Sequence, residues 1–285
     1  MITLFASIAC SVAVSALLKL ARRYALHIGQ AIAANYAVAA ALTLLLLNPR
    51  PSDLLADHGS WPVLLGLGFL LPSVFLVMAA SVQRAGIVLS DAAQRLSLVV
   101  SLTAAFVLMG ERPTPAGMSG IAVGLAALAC LLARPREGSS LSSRHAWLLL
   151  LVWAGYGTID ILFKQLSRSG AAFASGLLVC FVLAGMLMLA GLLATRTPWQ
   201  ARSLAAGLVL GLLNFGNIYF YIRAHQAFAD SPTLVFTVMN IGVIAAGTLV
   251  GVALFKERPS RINLAGVALA LSAIAILIRP WTPAG

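Results

Sequence analysis

Charge is scarce in this sequence. Only 9% of its 285 residues are Asp, Glu, Lys or Arg, and the acids number eight. A soluble globular domain carries roughly 25% charged residues, so this chain lacks the polar surface that keeps a folded domain in water. Cysteine is scarce too: Cys10, Cys130 and Cys180 each sit inside an apolar stretch. Their scatter offers neither a disulfide framework nor a metal site. The four histidines are dispersed, with no HExxH and no Ser/His/Asp arrangement, which leaves a membrane-embedded enzyme without its usual machinery. A P-loop is absent as well, so neither ATP hydrolysis nor a bound cofactor is expected. No gap between apolar blocks is long enough for a soluble domain.

What is present is apolar, at 61% of the residues. The apolar residues fall in blocks of the roughly 20-residue length that a transmembrane helix requires. Ten spans are expected, over approximately 2–19, 28–47, 62–82, 86–109, 115–133, 146–165, 171–194, 203–226, 232–255 and 259–279. Their apolar runs are continuous, whereas barrel strands alternate over about 10 residues, so the expected fold is an all-α integral membrane protein. The net charge of +11 does not point to nucleic acid, because Lys and Arg mostly mark the ends of apolar blocks. Lys19, Arg22 and Arg23 follow the first apolar stretch instead of preceding it, so that stretch reads as a retained span and not a signal peptide.

Two charged knots interrupt the apolar pattern. "GERPTPAGMSG" at 110–120 is echoed by "KERPSRINLAG" at 256–266. Glu111, Arg112 and Pro113 thus correspond to Glu257, Arg258 and Pro259, and Gly120 to Gly266. At a similar offset Ser11, Ser15 and Lys19 fall opposite Tyr156, Asp160 and Lys164. The chain therefore divides into two five-helix units, 1–134 and 146–280. An odd number of spans per unit makes the second copy enter from the opposite side, giving inverted repeats of the kind that surround a midplane substrate site in transporters. Each knot is expected to be a tight turn between the last two helices of its unit. Its proline ends one helix or opens the next. Its glutamate is expected to bond free N–H groups at the start of that next helix, with gating as the lesser reading.

Polar residues inside the spans are the candidate site. Tyr156, Asp160 and Lys164 are spaced four apart on one helical face. An ionised side chain at mid-bilayer costs about 2.5–3.5 kcal/mol. An i,i+4 ion pair returns only about 0.3–0.5 kcal/mol, so this face must meet water or other polar groups. Lys164, like Lys19, is expected to cap its span at the interface. In the fourth span Ser90, Gln94, Ser97 and Ser101 form a stripe beside the i,i+4 pair Asp91 and Arg95. The ninth span offers Thr233, Thr237 and Asn240, with Asn240 opposite Gln94 in the repeat. Such a pair serves either a site on a pseudo-two-fold axis or ordinary interhelical hydrogen bonding. In the eighth span Asn214, Asn217 and Tyr221 share one face, while His225 lies near an interface as an incidental residue. Gly207/Gly211 and Gly247/Gly251 have the spacing of close helix packing within the bundle. Pro72 sits where it would bend the third span.

The paired Glu-Arg-Pro turns, each leading into a Gly-containing last helix, resemble the EamA-type ten-span members of the drug/metabolite transporter superfamily. "WAGYGTIDILFK" at 153–164 is similar to that family's first repeat helix. The likeness covers essentially the whole chain. It implies a secondary transporter of small organic metabolites or drugs, an exporter or exchanger, with a central cavity between the repeats. The Trp-Gly signature is missing from the first half, and the second span of each repeat lacks an arginine often found there, so substrate class does not carry over. The expected partners are a small-molecule substrate and the lipid bilayer of the cell (inner or plasma) membrane. Asp160 or Asp91 is the proton site if exchange is proton-coupled. The protein is expected to be a monomer or homodimer. A lipid or polyprenyl-phosphate flippase is the alternative, since Arg95 and Lys164 would supply a cationic path. Orientation stays open: Lys and Arg number twelve in the odd-numbered loops and six in the even loops and C-terminal tail. That count places the termini outside, whereas the resemblance implies cytoplasmic termini.

Overall fold

The computed structural model describes residues 1–24, 26–50, 52, 61–84, 87–112, 114–132, 146–169, 172–255 and 260–278. Among these residues the structure is helical, with no strand. The helices are α1 (Ile2–Arg23), α2 (Ile28–Leu47), α3 (Trp61–Arg84), α4 (Ile87–Leu96), α5 (Leu98–Val107), α6 (Pro115–Leu132), α7 (Ala146–Ser167), α8 (Phe173–Ala194), α9 (Ala201–Ala227), α10 (Pro232–Phe255) and α11 (Arg261–Ile278). Helices satisfy backbone N–H and C=O groups within one segment, which is why continuous apolar runs adopt them in a bilayer. Six of them are long and apolar enough to cross a membrane, so the chain is a multi-pass membrane protein. Shorter apolar helical stretches occur at Ile2–Leu17, Ala93–Val107, Gly117–Cys130 and Arg261–Leu277.

Burial is arranged as a bilayer demands. Large apolar side chains face outward, Leu45 at 75% and Phe69 at 61% exposure, while Gln30, Asn35, Ser90 and Lys164 are buried. In water that distribution would be unstable. In lipid it removes polar groups from hydrocarbon.

Helix α2 packs on α8 and α9, α3 on α7 and α8, and α1 on α9 and α10. Helices α4 and α5 pack on α7, and α6 lies along α11. The principal contacts therefore join helices from 1–134 to helices from 146–280, and the two units interleave. Gly207 and Gly211 permit the α2–α9 contact: a Cβ at Gly207 would stand 2.6 Å from the Ala31 carbonyl oxygen, and one at Gly211 2.9 Å from that of Asn35. Gly247 behaves otherwise, with open space where a Cβ would sit, so packing within the bundle does not account for it.

The expected span 86–109 is two helices that meet at Ser97. The Ser97 hydroxyl donates to the Gln94 carbonyl at 2.6 Å, and Val100 N–H bonds Ser97 O at 2.9 Å. That tighter turn leaves the Leu96 carbonyl to the Trp153 indole N–H at 3.1 Å. A serine hydroxyl competing for a helix carbonyl is a recognised way to disturb the helix ladder. By contrast, α3 runs without a break through Pro72.

Candidate functional site

Asp160 is where the polar spans meet. One carboxylate oxygen accepts the Ser101 hydroxyl from α5 at 2.9 Å. The other accepts the Tyr221 hydroxyl from α9 at 2.9 Å. The Asn240 side chain of α10 lies within electrostatic reach of this carboxylate, and its amide donates to the Phe236 carbonyl at 3.1 Å. Two donors from two other helices thus hold one half-buried acid on α7, with Asn240 of a third helix beside it. Charge-assisted bonds of this kind are about twice as strong as neutral ones. They replace the water that Asp160 loses inside the bundle.

Local sequence explains the close approach. A Cβ at Gly157 would lie 2.5 Å from Val100 Cβ, so only glycine lets α5 come near enough for Ser101 to reach Asp160. Behind the cluster, the Phe163 and Tyr221 rings meet edge to face at 6.2 Å.

The remaining candidates are distributed more widely. Asn217 is bonded to Ser7 of α1, whose hydroxyl lies 2.9 Å from both its Oδ1 and its carbonyl oxygen. It ties α1 to α9 and takes no described part in the Asp160 cluster. Asn214 is buried on the same helix. Tyr156 is partly buried and lies within electrostatic reach of Tyr36 on α2. Thr237 is buried, with its methyl against Gly124 at the α6–α10 contact. Gln94 and Arg95 are partly buried on α4. No hydrogen bond joins Gln94 to Asn240 among the described residues. The Asp91 and Lys19 side chains, Pro113, and Glu257, Arg258 and Pro259 lie outside the described residues.

Glu111 departs from expectation. Its carboxylate does not cap α6, the helix that follows it. It accepts the backbone N–H of Thr233 at 2.9 Å and the Thr233 hydroxyl at 2.5 Å, and so caps α10. Gly110, at φ +69°, makes the turn that aims it there, a backbone shape glycine adopts readily. Helix α6 is capped instead by Thr114, whose hydroxyl accepts from Gly117 N–H at 3.1 Å. Ser260 and Asn263 do the same for α11. Burial raises the Glu111 carboxyl above its ordinary value, while the two Thr233 bonds and the Lys164 ammonium pull it back. Arg112 is exposed.

Two further residues are not where their positions in the sequence imply. Lys164 has no exposed surface and donates to the Ala229 carbonyl at 2.7 Å, so it does not reach outward to cap its span. His225 is also fully buried, between the Tyr221 and Phe236 rings at 4.7 and 4.9 Å. Gln30, passed over in the sequence, is buried and holds the stretch before α9: it donates to Pro198 O at 2.6 Å and accepts from Gln200 N–H at 2.9 Å. A glutamine inside an apolar span was the available signal.

Fold and site together define a multi-pass helical membrane protein with a polar cluster enclosed by its helices. The chain belongs to the same family as an uncharacterized protein of Haemophilus influenzae, 48% identical over 277 residues and covering 95% of each chain. A solved structure described only as the crystal structure of a protein aligns over 99% of this chain and 98% of its own, with a TM-score of 0.70 at 18% identity. That likeness establishes a shared fold and nothing of function. No family model matches the sequence.

Proposed function

We propose that this protein is a secondary carrier of small organic solutes, of the EamA type within the drug/metabolite transporter superfamily, built from ten spans in two inverted repeats. The observation that carries the reading is the convergence of Ser101, Tyr221 and Asn240 on Asp160 from separate helices. An acid inside a membrane bundle that faces polar partners and not lipid is the kind of residue that marks a substrate or coupling-ion pathway.

The packing supports the repeat. Exchanging α1 with α7, α2 with α8, α3 with α9, α4 and α5 with α10, and α6 with α11 carries the α2–α9 contact onto α3–α8. It carries α1–α9 onto α3–α7 and α1–α10 onto the α4 and α5 contacts with α7, and it leaves α2–α8 and α6–α11 in place. Because the repeats interleave, the units that rock against each other in alternating access are groups of helices drawn from both.

The test is transport in proteoliposomes, using whichever solute of a polar-metabolite panel most raises the unfolding temperature. Asp160→Asn and Tyr221→Phe are expected to slow transport about tenfold or more, since a hydrogen bond to a charged group contributes about 1.5–3 kcal/mol. Asn217→Ala, which removes only a link to α1, is expected to retain most of the rate. Undiminished transport in both Asp160→Asn and Tyr221→Phe ends the assignment.

A further inference from the structure

One turn beyond Asp160, the ends of α7 and α9 and the turn that follows α9 line an open cavity of about 360 Å³. It is lined by Lys164, Ser167, Arg168, Arg223, His225 and Gln226, together with Ala229. Three of those side chains are cationic and none is a carboxylate. Glu111 and Asp230 lie within electrostatic reach of Lys164, but the Glu111 carboxylate is bound to Thr233.

The donors facing this space are not used up. Lys164 commits one ammonium proton to Ala229 O and carries three. Arg223 commits one guanidinium nitrogen to Gln226 at 3.0 Å. His225 has no exposed surface, and neither of its ring nitrogens has a hydrogen-bond partner among the described residues. The His225 imidazole is held between the Tyr221 and Phe236 rings with its nitrogens shut off from solvent, so it borders the cavity and the cationic side chains supply the donors. The ligand must accept hydrogen bonds, carry negative charge and be small.

From this cavity we infer an oxyanion-binding site, holding the carboxylate or phosphate group of a ligand between the Lys164 ammonium and the Arg168 and Arg223 guanidinium groups. Carboxylate and phosphate match guanidinium geometry and give short charge-assisted bonds. The site does not depend on the carrier reading: Asp160→Asn can leave transport untouched while this cavity still binds its anion.

The experiment uses the full chain in nanodiscs of phosphatidylcholine, with inorganic phosphate as the probe at constant ionic strength and sodium chloride as the reference salt. Phosphate is expected to raise the unfolding temperature along a saturating curve. Arg168→Gln with Arg223→Gln, both at exposed positions that the fold tolerates, is expected to weaken apparent affinity roughly tenfold or more. Lys164→Gln is expected to do the same. If Lys164→Gln fails to fold, the arginine pair decides alone. No saturable response to phosphate, or an equal response in the arginine pair, overturns the proposal, since general salting stabilises every variant alike. A second set of nanodiscs containing phosphatidylglycerol identifies the source of the anion. Loss of the phosphate response there assigns the site to a lipid headgroup, and an unchanged response assigns it to a free solute.

Discussion

Glu111 shows how one carboxylate can link distant parts of this chain. It sits in the turn before α6 and caps α10, more than a hundred residues away in sequence. A helix N-terminus carries positive partial charge, so the acid is well placed there, yet its burial raises the carboxyl above its ordinary value. A raised pKa means the folded protein favours the protonated form. The associated stability is complete below the ordinary carboxyl value and is lost as pH rises through the raised one. Glu111→Gln removes the titration. Thermal unfolding of wild type and Glu111→Gln between pH 7 and pH 4 should therefore show wild type gaining on the variant as pH falls. A gap that widens against wild type at low pH would contradict the assignment. The glutamate's importance was legible from the repeated triplet, but its target was not, because a capping acid bonds whichever helix end the fold brings to it.

The interruption at Ser97 and the approach at Gly157 both lie beside the Asp160 cluster. Ser97 tightens the α4–α5 junction, and Trp153 takes the carbonyl that the tighter turn releases. Gly157 then sets the α5–α7 separation. A Cβ against Val100 Cβ has no flexible atom to push aside, so Gly157→Ala should cost about 1–3 kcal/mol through overpacking. It should also slow the proposed transport by separating Ser101 from Asp160. Trp153→Phe loses a single neutral hydrogen bond, about 0.5–1.5 kcal/mol, and serves as the milder comparison. Denaturant unfolding in detergent measures both, and a Gly157→Ala variant as stable as wild type would show that α5 can retreat freely. The polar stripe of Ser97 and Ser101 is visible in the sequence as a face. That it divides one span into two helices is not, since the stripe's spacing is the same in an unbroken helix and an interrupted one.

Across the molecule, helices of 1–134 pack mainly against helices of 146–280. Ten spans return the chain to its starting side, so the proposed topology places both termini on one face of the membrane. Reporter fusions at each end, read for cytoplasmic fluorescence, should agree with each other. Opposite readings would remove an odd number of spans from the proposal. The pairing of α2 with α9 and of α3 with α8 also means that neither unit has a complete helical neighbourhood of its own. The polar residues that tie the units, Gln30 to Pro198 and Gln200 and Ser7 to Asn217, all cross between them.

Composition and block length alone settle that this is a helical membrane protein, because hydrocarbon tolerates no unpaired backbone and admits few charges. The helical face carrying Asp160 follows from spacing alone as well, since four residues make about one turn. Which donors reach Asp160, which helix Glu111 caps, and why Lys164 and His225 are buried depend on neighbours brought together from far along the chain. Hydrogen bonds are short and directional, and only the packed bundle determines which groups come within their reach.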